Sequence, residues 1–447
     1  MCSEIFRINK NLCLLSNDGS FLAVAFQSNL IVKYAKNCET IHSFVFPDII
    51  EHIEWSPDSE YILCLNLKRA IVQVFSISYP EWKCKITEGS AGLESATWAP
   101  DSKSLCTLSD FNIQLSVWCL QTRSVIHIQN LKSSANEKLQ FSPDGKRLAV
   151  VTADDTKDSV EIYRTEDWKL SRKLICERIS SINGLCWSPN GEALCIWCSN
   201  SGESKLIIYS TISESHIGVF CPNDQKHDEK ENIFHKELRG IELVKWMPSS
   251  QLIAISGHNE MVVLINCITW KPFLQLHCDP VITDSHCHNK VFREIVIHNK
   301  DPNLVNPPRP KHNLEEMLTR PINIPISKKD CTKIAHFDIL EFSVCGHFLA
   351  IRHQIYPTTL WILEIKTGDV NFILLQNSIS AVKWSPISPR LLILSESSQI
   401  FFWTKNEAIC RNAPKDITIL NAQWHPAGKS VVLHGYNKAV LLNLDNI

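Results

Sequence analysis

The feature that most constrains this chain is a short phrase that returns nine times. In its clearest form it reads aromatic, Ser, Pro, Asp or Asn, Gly or Ser, and an apolar run follows. Trp55-Ser56-Pro57-Asp58-Ser59, Phe141-Ser142-Pro143-Asp144-Gly145 and Trp187-Ser188-Pro189-Asn190-Gly191 are full copies. Trp98-Ala99-Pro100-Asp101-Ser102, Trp246-Met247-Pro248, Trp384-Ser385-Pro386 and Trp424-His425-Pro426-Ala427-Gly428 are close variants. Leu15-Ser16-Asn17-Asp18-Gly19 and Phe342-Ser343-Val344-Cys345-Gly346 lack the proline. Proline presets φ for a turn corner, Asp or Asn bonds the backbone, and Gly accepts positive φ. Six of the 13 tryptophans sit at the aromatic position, which sets this pattern apart from chance.

The second residue of the phrase falls at 16, 56, 99, 142, 188, 247, 343, 385 and 425. Most intervals are therefore 40 to 46 residues. Each unit carries about four short strand-like runs. One enters the anchor (Ile53-Glu54-Trp55), one follows the turn, and a third tends to end in an aromatic, as at Val74-Phe75, Val117-Trp118 and Phe402-Trp403. Such a period with four strands per unit predicts an all-β fold, a β-propeller of four-stranded blades. The ninth unit reaches Ile447 one strand short, while Glu4–Ile8 is a spare strand ahead of the first anchor. Pairing the two would close one ring of about nine blades over residues 1–447 and protect two open edges. A seven-bladed ring would leave two blades in a poorly closed remnant.

Two intervals are long. The first holds a charged segment, 221–240, with Pro222-Asn223-Asp224-Gln225-Lys226-His227-Asp228-Glu229-Lys230-Glu231. It has little to bury and is expected to be a mobile loop. The second holds a proline-containing insertion, 278–331, with Pro307-Pro308-Arg309-Pro310 and Pro321-Ile322-Asn323-Ile324-Pro325. It is expected to be a functional or disordered segment that the fold can do without. Within it, Asn313–Leu318 could form one or two helical turns capped by Asn313. Pro307, Pro308, Arg309 and Pro310 favour an extended partner-docking shape. Glu88, Gly89, Ser90, Ala91 and Gly92 form a second candidate contact, because two glycines let a partner approach the backbone. A tight turn that needs positive φ explains the same glycines.

Chemistry is sparse. With 45 Lys and Arg against 47 Asp and Glu, there is no basic field for nucleic acid. No apolar run of about 18 residues could span a bilayer. The N-terminus lacks the basic and apolar regions of a signal peptide, so the 18 cysteines read as reduced cytosolic thiols that pack as small hydrophobes. His277-Cys278, Asp284 and His286-Cys287-His288 are zinc-ligand types, but their spacing matches no closed four-ligand site. There is no phosphate-binding glycine loop and no nucleophile elbow, so no catalytic residue, metal or cofactor is assigned.

The repeats resemble WD repeats. The Gly-His ahead of each entering strand is mostly missing, with His52 the nearest remnant, and the closing Trp-Asp has lost its Asp. Apolar packing is therefore expected to replace much of the hydrogen-bond network of regular WD blades. A narrower resemblance rests on Ile50-Glu51-His52-Ile53-Glu54-Trp55-Ser56, Lys68-Arg69-Ala70-Ile71-Val72-Gln73-Val74 and Pro80-Glu81-Trp82-Lys83-Cys84-Lys85-Ile86, with Glu88-Gly89-Ser90-Ala91-Gly92-Leu93. These stretches, and the place of the long insertion, are similar to the WD-repeat-containing protein eight family. That resemblance implies a non-enzymatic scaffold at centrosomes and spindle poles. It implies work with an Msd-type coiled-coil anchoring protein and a minus-end-directed kinesin, in microtubule minus-end anchoring, spindle organisation and cilium assembly. Two other readings compete. The Ser-Pro-Asp-Gly turns also resemble translation initiation factor two-A, and an enzyme could use the propeller's central funnel.

Overall fold

The computed structural model describes residues 3–444 apart from 89–91, 110, 112, 133–137, 154–156, 177–178, 180, 201–202, 214, 223–237, 284–288, 298–309, 328–334 and 415–416. Nine four-stranded antiparallel blades follow one another along the chain; in the first eight the strands lie in chain order from the inner edge outward, and the ninth takes its outer strand from the N-terminus. Blade 1 runs Cys13–Leu15, Phe21–Phe26, Asn29–Tyr34 and Thr40–Val45. The pattern repeats to blade 9, which supplies Asn421–Trp424, Ser430–His434 and Lys438–Asn443. Its fourth, outer strand is Phe6–Arg7, paired antiparallel as Phe6↔Ala439 and Arg7↔Lys438. Just outside that strand, Ser3 N–H donates to the Leu441 carbonyl (2.9 Å) and Ile8 N–H to the Asn437 carbonyl (3.0 Å). The spare N-terminal strand thus closes the ring.

The core explains why the middle strands are apolar on both faces. Tyr61–Asn66 and Leu391–Ser395 are buried almost throughout, whereas the outer strand Thr40–Val45 is mostly open. A blade packs against a neighbour on each side, so its inner strands have no solvent face. Among the described residues the buried side chains form nine clusters, and every cluster joins two consecutive blades. One of them joins blade 9 to blade 1 through Phe6, Ile8, Leu15, Leu22, Val432 and Leu441. Buried thiols such as Cys64 and Cys195 fill these clusters as small hydrophobes.

The repeated phrase does two jobs. Within the turn, the Ser56 hydroxyl donates to Asp58 Oδ1 (2.5 Å) and accepts Tyr61 N–H (2.9 Å). Ser16, Ser142 and Ser188 repeat that pattern. Between blades, the anchor indole donates backwards to the carbonyl that precedes the previous anchor. Trp55 bonds Leu14, Trp187 bonds Gln140, Trp384 bonds Glu341 and Trp424 bonds Lys383, each at 3.0 Å. Trp98 reaches the Glu54 carbonyl at 3.4 Å. Blade 1 has Leu15 as its anchor and therefore no indole. There Gln423 bridges instead, accepting Leu15 N–H (2.9 Å) and donating to its carbonyl (3.3 Å).

The fifth position of the phrase has positive φ, which explains its glycines. At Gly145 (φ 70°) an added Cβ would also lie 2.8 Å from Pro100 of the preceding blade. Ser59, Ser102 and Ser250 hold the same conformation at φ 64°, 56° and 61°. Each hydroxyl accepts a backbone N–H from the preceding turn, of Asp18, Asp58 and Asn190, at 3.0 to 3.1 Å. The inter-blade bond offsets the roughly 1–2 kcal/mol left-handed penalty of a residue with a Cβ.

The insertion differs from the expectation. Val291–Ile297 pairs parallel with Val370–Leu374, the fourth strand of blade 7, and Lys311–Glu316 pairs antiparallel outside it. Blade 7 is thereby a six-stranded sheet. Val281–Ile282 and Ile322–Asn323 form a separate two-stranded pair. Cys278, Ile282, Val291, Ile322 and Ile324 are buried between blades 6 and 7, and Phe292 between blades 7 and 8. The described parts of the segment are therefore strands packed into the ring rather than a structureless loop. Asn313–Glu316 is strand rather than helix, because it pairs residue by residue with Phe292–Ile295, which is itself held against blade 7.

Candidate interaction surfaces

Strands alternate in direction within a blade, so the propeller has two unlike faces. One carries the Ser-Pro-Asp turns and the hairpins between third and fourth strands. The other carries the hairpins between second and third strands and the connections from blade to blade. Segments 88–92, 221–240 and 278–331 each follow an outer strand, which ends on this connector face, but the insertion's Val291–Ile297 and Lys311–Glu316 lie along the rim of blade 7. Gly89, Ser90, Ala91, Pro307, Pro308 and Arg309 lie outside the described residues, as does most of 221–240. Leu238, near the end of that loop, is buried in the core of blades 5 and 6. Pro310 is half-buried and leads into Lys311–Glu316.

Glu88 has an internal role that the sequence alone did not reveal. Trp118 Nε1 donates to Glu88 Oε1 (3.1 Å) and to Thr107 Oγ1 (2.9 Å), and the Thr107 hydroxyl donates to the same carboxylate oxygen. Thr107 and Trp118 are on the second and third strands of blade 3. Glu88, ahead of the entering strand, thus builds in blade 3 the kind of network that regular WD blades build there. Gly92 has φ 73° and open space beside its Cα. Its glycine is explained by backbone conformation, as in a tight turn.

A second polar knot lies one blade on. Lys132, from the connection into blade 4, meets Asp158 and Ser181 and donates to the Ile182 carbonyl (2.7 Å). Ile182 N–H donates to Asp158 Oδ2 (2.7 Å). The ion pair is nearly buried, so it pins the connections into blades 4 and 5 to the start of blade 4's third strand.

Over blade 1 the connector face opens a groove of about 780 Å³. Its walls come from Lys10, the connection 48–51, the hairpin 66–69 and Tyr436. Ile49, Leu67 and Tyr436 are exposed there. Arg69 pairs with Asp48 (2.5 Å) and Glu51 accepts Leu67 N–H (2.8 Å). Sequence stretches 50–56 and 68–74, singled out above, supply two of these walls.

Across the ring, Glu242 and His336 stand just ahead of the inner strands of blades 6 and 7, with 3.7 Å between Oε1 and Nδ1. Burial holds the Glu242 carboxyl above its usual range. Asp338 is clasped by Arg352 through Nε (2.8 Å) and NH2. Of the zinc-type residues, His277 Nδ1 meets Asp279 (2.7 Å) and Cys278 is a buried thiol, while 284–288 lie outside the described residues. Among the described residues no group of three or more His, Cys, Asp or Glu is placed to hold a metal.

A closed ring of blades built on these anchors defines a WD-repeat β-propeller. The fold agrees with the C-terminal WD40 domain of Sif2, at a TM-score of 0.51 and 10% identity, over 100% of this chain and 99% of that one. The chain is 30% identical to the WD repeat-containing protein WRAP73 of Mus musculus, over 96% of this chain and 93% of the relative. It therefore belongs to the WRAP73 family, the WD-repeat-containing protein eight family named above. A WD repeat-containing protein of Schizosaccharomyces pombe is 20% identical over 93% of this chain and 86% of its own length. No protein-family model matches the chain.

Proposed function

We propose that this protein is a non-catalytic interaction platform at the centrosome and spindle pole. It acts there with an Msd-type coiled-coil anchoring protein, and with a minus-end-directed kinesin, to anchor microtubule minus ends. Spindle organisation and cilium assembly follow from that anchoring. The observation that carries the reading is the near end-to-end likeness to a WD-repeat family member, at 30% identity over 96% of the chain. The architecture suits the role. A ring locked by indole bonds and nine apolar seams stays rigid, while loops on two faces and the rim each offer a partner a separate surface.

The test is affinity purification of the tagged full-length protein with mass spectrometry of the co-purifying chains, alongside imaging of its position in dividing cells. Coiled-coil pole components and a spindle-pole signal are expected. Ribosomal proteins and initiation factors in their place would overturn the reading in favour of the translation-factor alternative.

A further inference from the structure

The outer edge of blade 2 combines an open backbone with two exposed lysines. Its fourth strand, Lys83–Thr87, pairs with Ile71–Ser76 on one side and leaves its other backbone edge open. A groove of about 440 Å³ runs along that open edge, between it and the end of the third strand of blade 3. Side chains alternate across the strand. Cys84 and Ile86 turn toward blade 3, where they pack with Trp118 and Leu120. Lys83, Lys85 and Thr87 point the other way and are exposed. On the far wall, Arg123 lies close enough to Cys84 for its charge to draw the thiol's pKa down, against the larger upward push of burial. No carboxylate lines the groove, and among the described residues neither Lys83 nor Lys85 meets one. Trp82 stands at the strand's start, 38% exposed, edge-on to Tyr61 at 5.3 Å.

The same chain shows that such an edge takes another strand. In blade 7 the equivalent outer strand, Val370–Leu374, is covered by Val291–Ile297 running parallel to it. Blade 4 shows the contrast: Lys173 on its outer strand is matched by Glu161 at 3.2 Å. In blade 2 the two lysines are left for something else.

The geometry points to strand addition: an extended segment of a partner protein, alternating acidic and apolar residues, pairs with the free backbone edge of Lys83–Thr87. The period of two fixes the pattern. Acidic side chains of the added strand fall beside Lys83 and Lys85 on the outward face. The apolar ones fall between them, over Trp118 and Leu120, with Arg123 at the margin. Main-chain bonds supply affinity and the alternating side chains supply selectivity. Lysines on an edge strand discourage indiscriminate pairing, and an acidic partner is the one they admit. This inference rests on the platform reading and gives it one docking site.

The probe is a fluorescein-labelled decapeptide alternating Glu and Val, titrated by anisotropy into the full-length protein. Two control peptides accompany it: one with the five Glu and five Val in separate blocks, one with Lys for Glu. Binding of the alternating peptide alone is expected. The double substitution Lys83→Glu with Lys85→Glu should weaken it about tenfold or more, since two favourable cross-strand pairs become unfavourable. Both side chains are exposed, so the melting temperature should not move. Hydrogen exchange should show new protection at 83–87 on binding, which a purely ionic contact would not give. Undiminished binding to the double variant, equal binding of the block peptide, or no protection at 83–87 would overturn the proposal. If the double variant still co-purifies with pole components, docking lies elsewhere and the platform stands. If wild type itself captures none, the platform reading is what fails.

Discussion

The indole of Trp424 in blade 9 donates to the carbonyl of Lys383 in blade 8 at 3.0 Å, one residue ahead of that blade's own anchor, Trp384. Trp384 does the same to Glu341 in blade 7. These two anchors therefore fill their own blades' seams with an aromatic surface and fix the height of the blade before. The carbonyl each one reaches also lies within its own blade's ladder, opposite Leu392 for Lys383 and Ala350 for Glu341, so the indole adds a second donor from across the seam.

One consequence separates tryptophans that look alike in sequence. Trp55→Phe keeps most of the apolar surface, and the Leu14 carbonyl keeps its ladder place opposite Ala23, so losing the indole bond should cost about 0.5–1.5 kcal/mol. Trp246 occupies the same place in blade 6, yet its Nε1 is buried with no hydrogen-bond partner among the described residues. Trp246→Phe removes an unsatisfied donor and should cost clearly less. Chemical denaturation of the two variants measures the difference. An equal loss would mean that the indole bonds contribute nothing beyond packing.

Ring closure gives a second expectation. Phe6 and Ile8 are buried in the seam between blades 9 and 1, and the backbone from Ser3 to Ile8 pairs with the outer edge of blade 9. Deleting residues 1–9 should lower the melting temperature far more than an ordinary terminal truncation does. Ile8→Ala alone should cost about 2–5 kcal/mol, the usual loss for emptying a buried aliphatic site. A truncated protein that melts with the wild type would show that the last blade holds without its fourth strand.

The blade count was legible in the sequence because the signal is local: the turn residues and the anchor sit together in five positions. What those residues bond across blades was not legible, since the donor and acceptor are 41 to 47 residues apart. Glu88 shows the same limit. Its carboxylate takes its role from Thr107 and Trp118, which only the folded blade brings to it. The insertion was misread for another reason. Its prolines and its Glu-rich stretch drew the reading toward loop and helix, while Val291-Phe292 and Ile295-Val296-Ile297 carried a strand signal that nearby polar residues diluted. Tertiary pairing then decided the conformation of Lys311–Glu316.

Acid should weaken the fold through two histidines. His353 and His434 are buried, which pushes both from an ordinary 6.5 down to about 4. Asp338 works against that shift at His353, and a backbone bond at Cys13 against it at His434. The unfolded chain takes up protons on these rings as pH falls below about 6.5, and the folded one does not until about 4. Their contribution is complete above 6.5 and is lost between 6.5 and 4, on the order of 3 kcal/mol for each ring. Glu242, held above its usual range, offsets part of this because its folded carboxyl protonates first. Urea unfolding at pH 7, 6, 5 and 4 should show falling stability, and His434→Gln should flatten the slope. An unchanged slope in that variant would remove His434 from the account.

The insertion supports the strongest stability prediction. A short Gly/Ser linker in place of 278–331 would remove Cys278, Ile282, Val291, Ile322 and Ile324 from the seam between blades 6 and 7, and Phe292 from the next seam. It would also break polar contacts that fasten the segment. Asn289 accepts Val370 N–H (3.0 Å) and Asn371 accepts Lys290 N–H (3.1 Å). Glu294, buried beside His312 at 2.6 Å, accepts Gln376 N–H at 2.7 Å. Losing several fully buried aliphatic groups at about 1.5–3 kcal/mol each is comparable with the whole stability of a domain. The linker variant is therefore expected to fail to fold or to aggregate, with blade 7's outer edge laid open. A milder pair of variants keeps the question answerable. Ile282→Ala should destabilise by about 2–5 kcal/mol, while Leu318→Ala, at an exposed site, should be nearly neutral. If the linker variant melts like wild type, the insertion's side chains contribute nothing to the seam they occupy, and the six-stranded account of blade 7 is wrong.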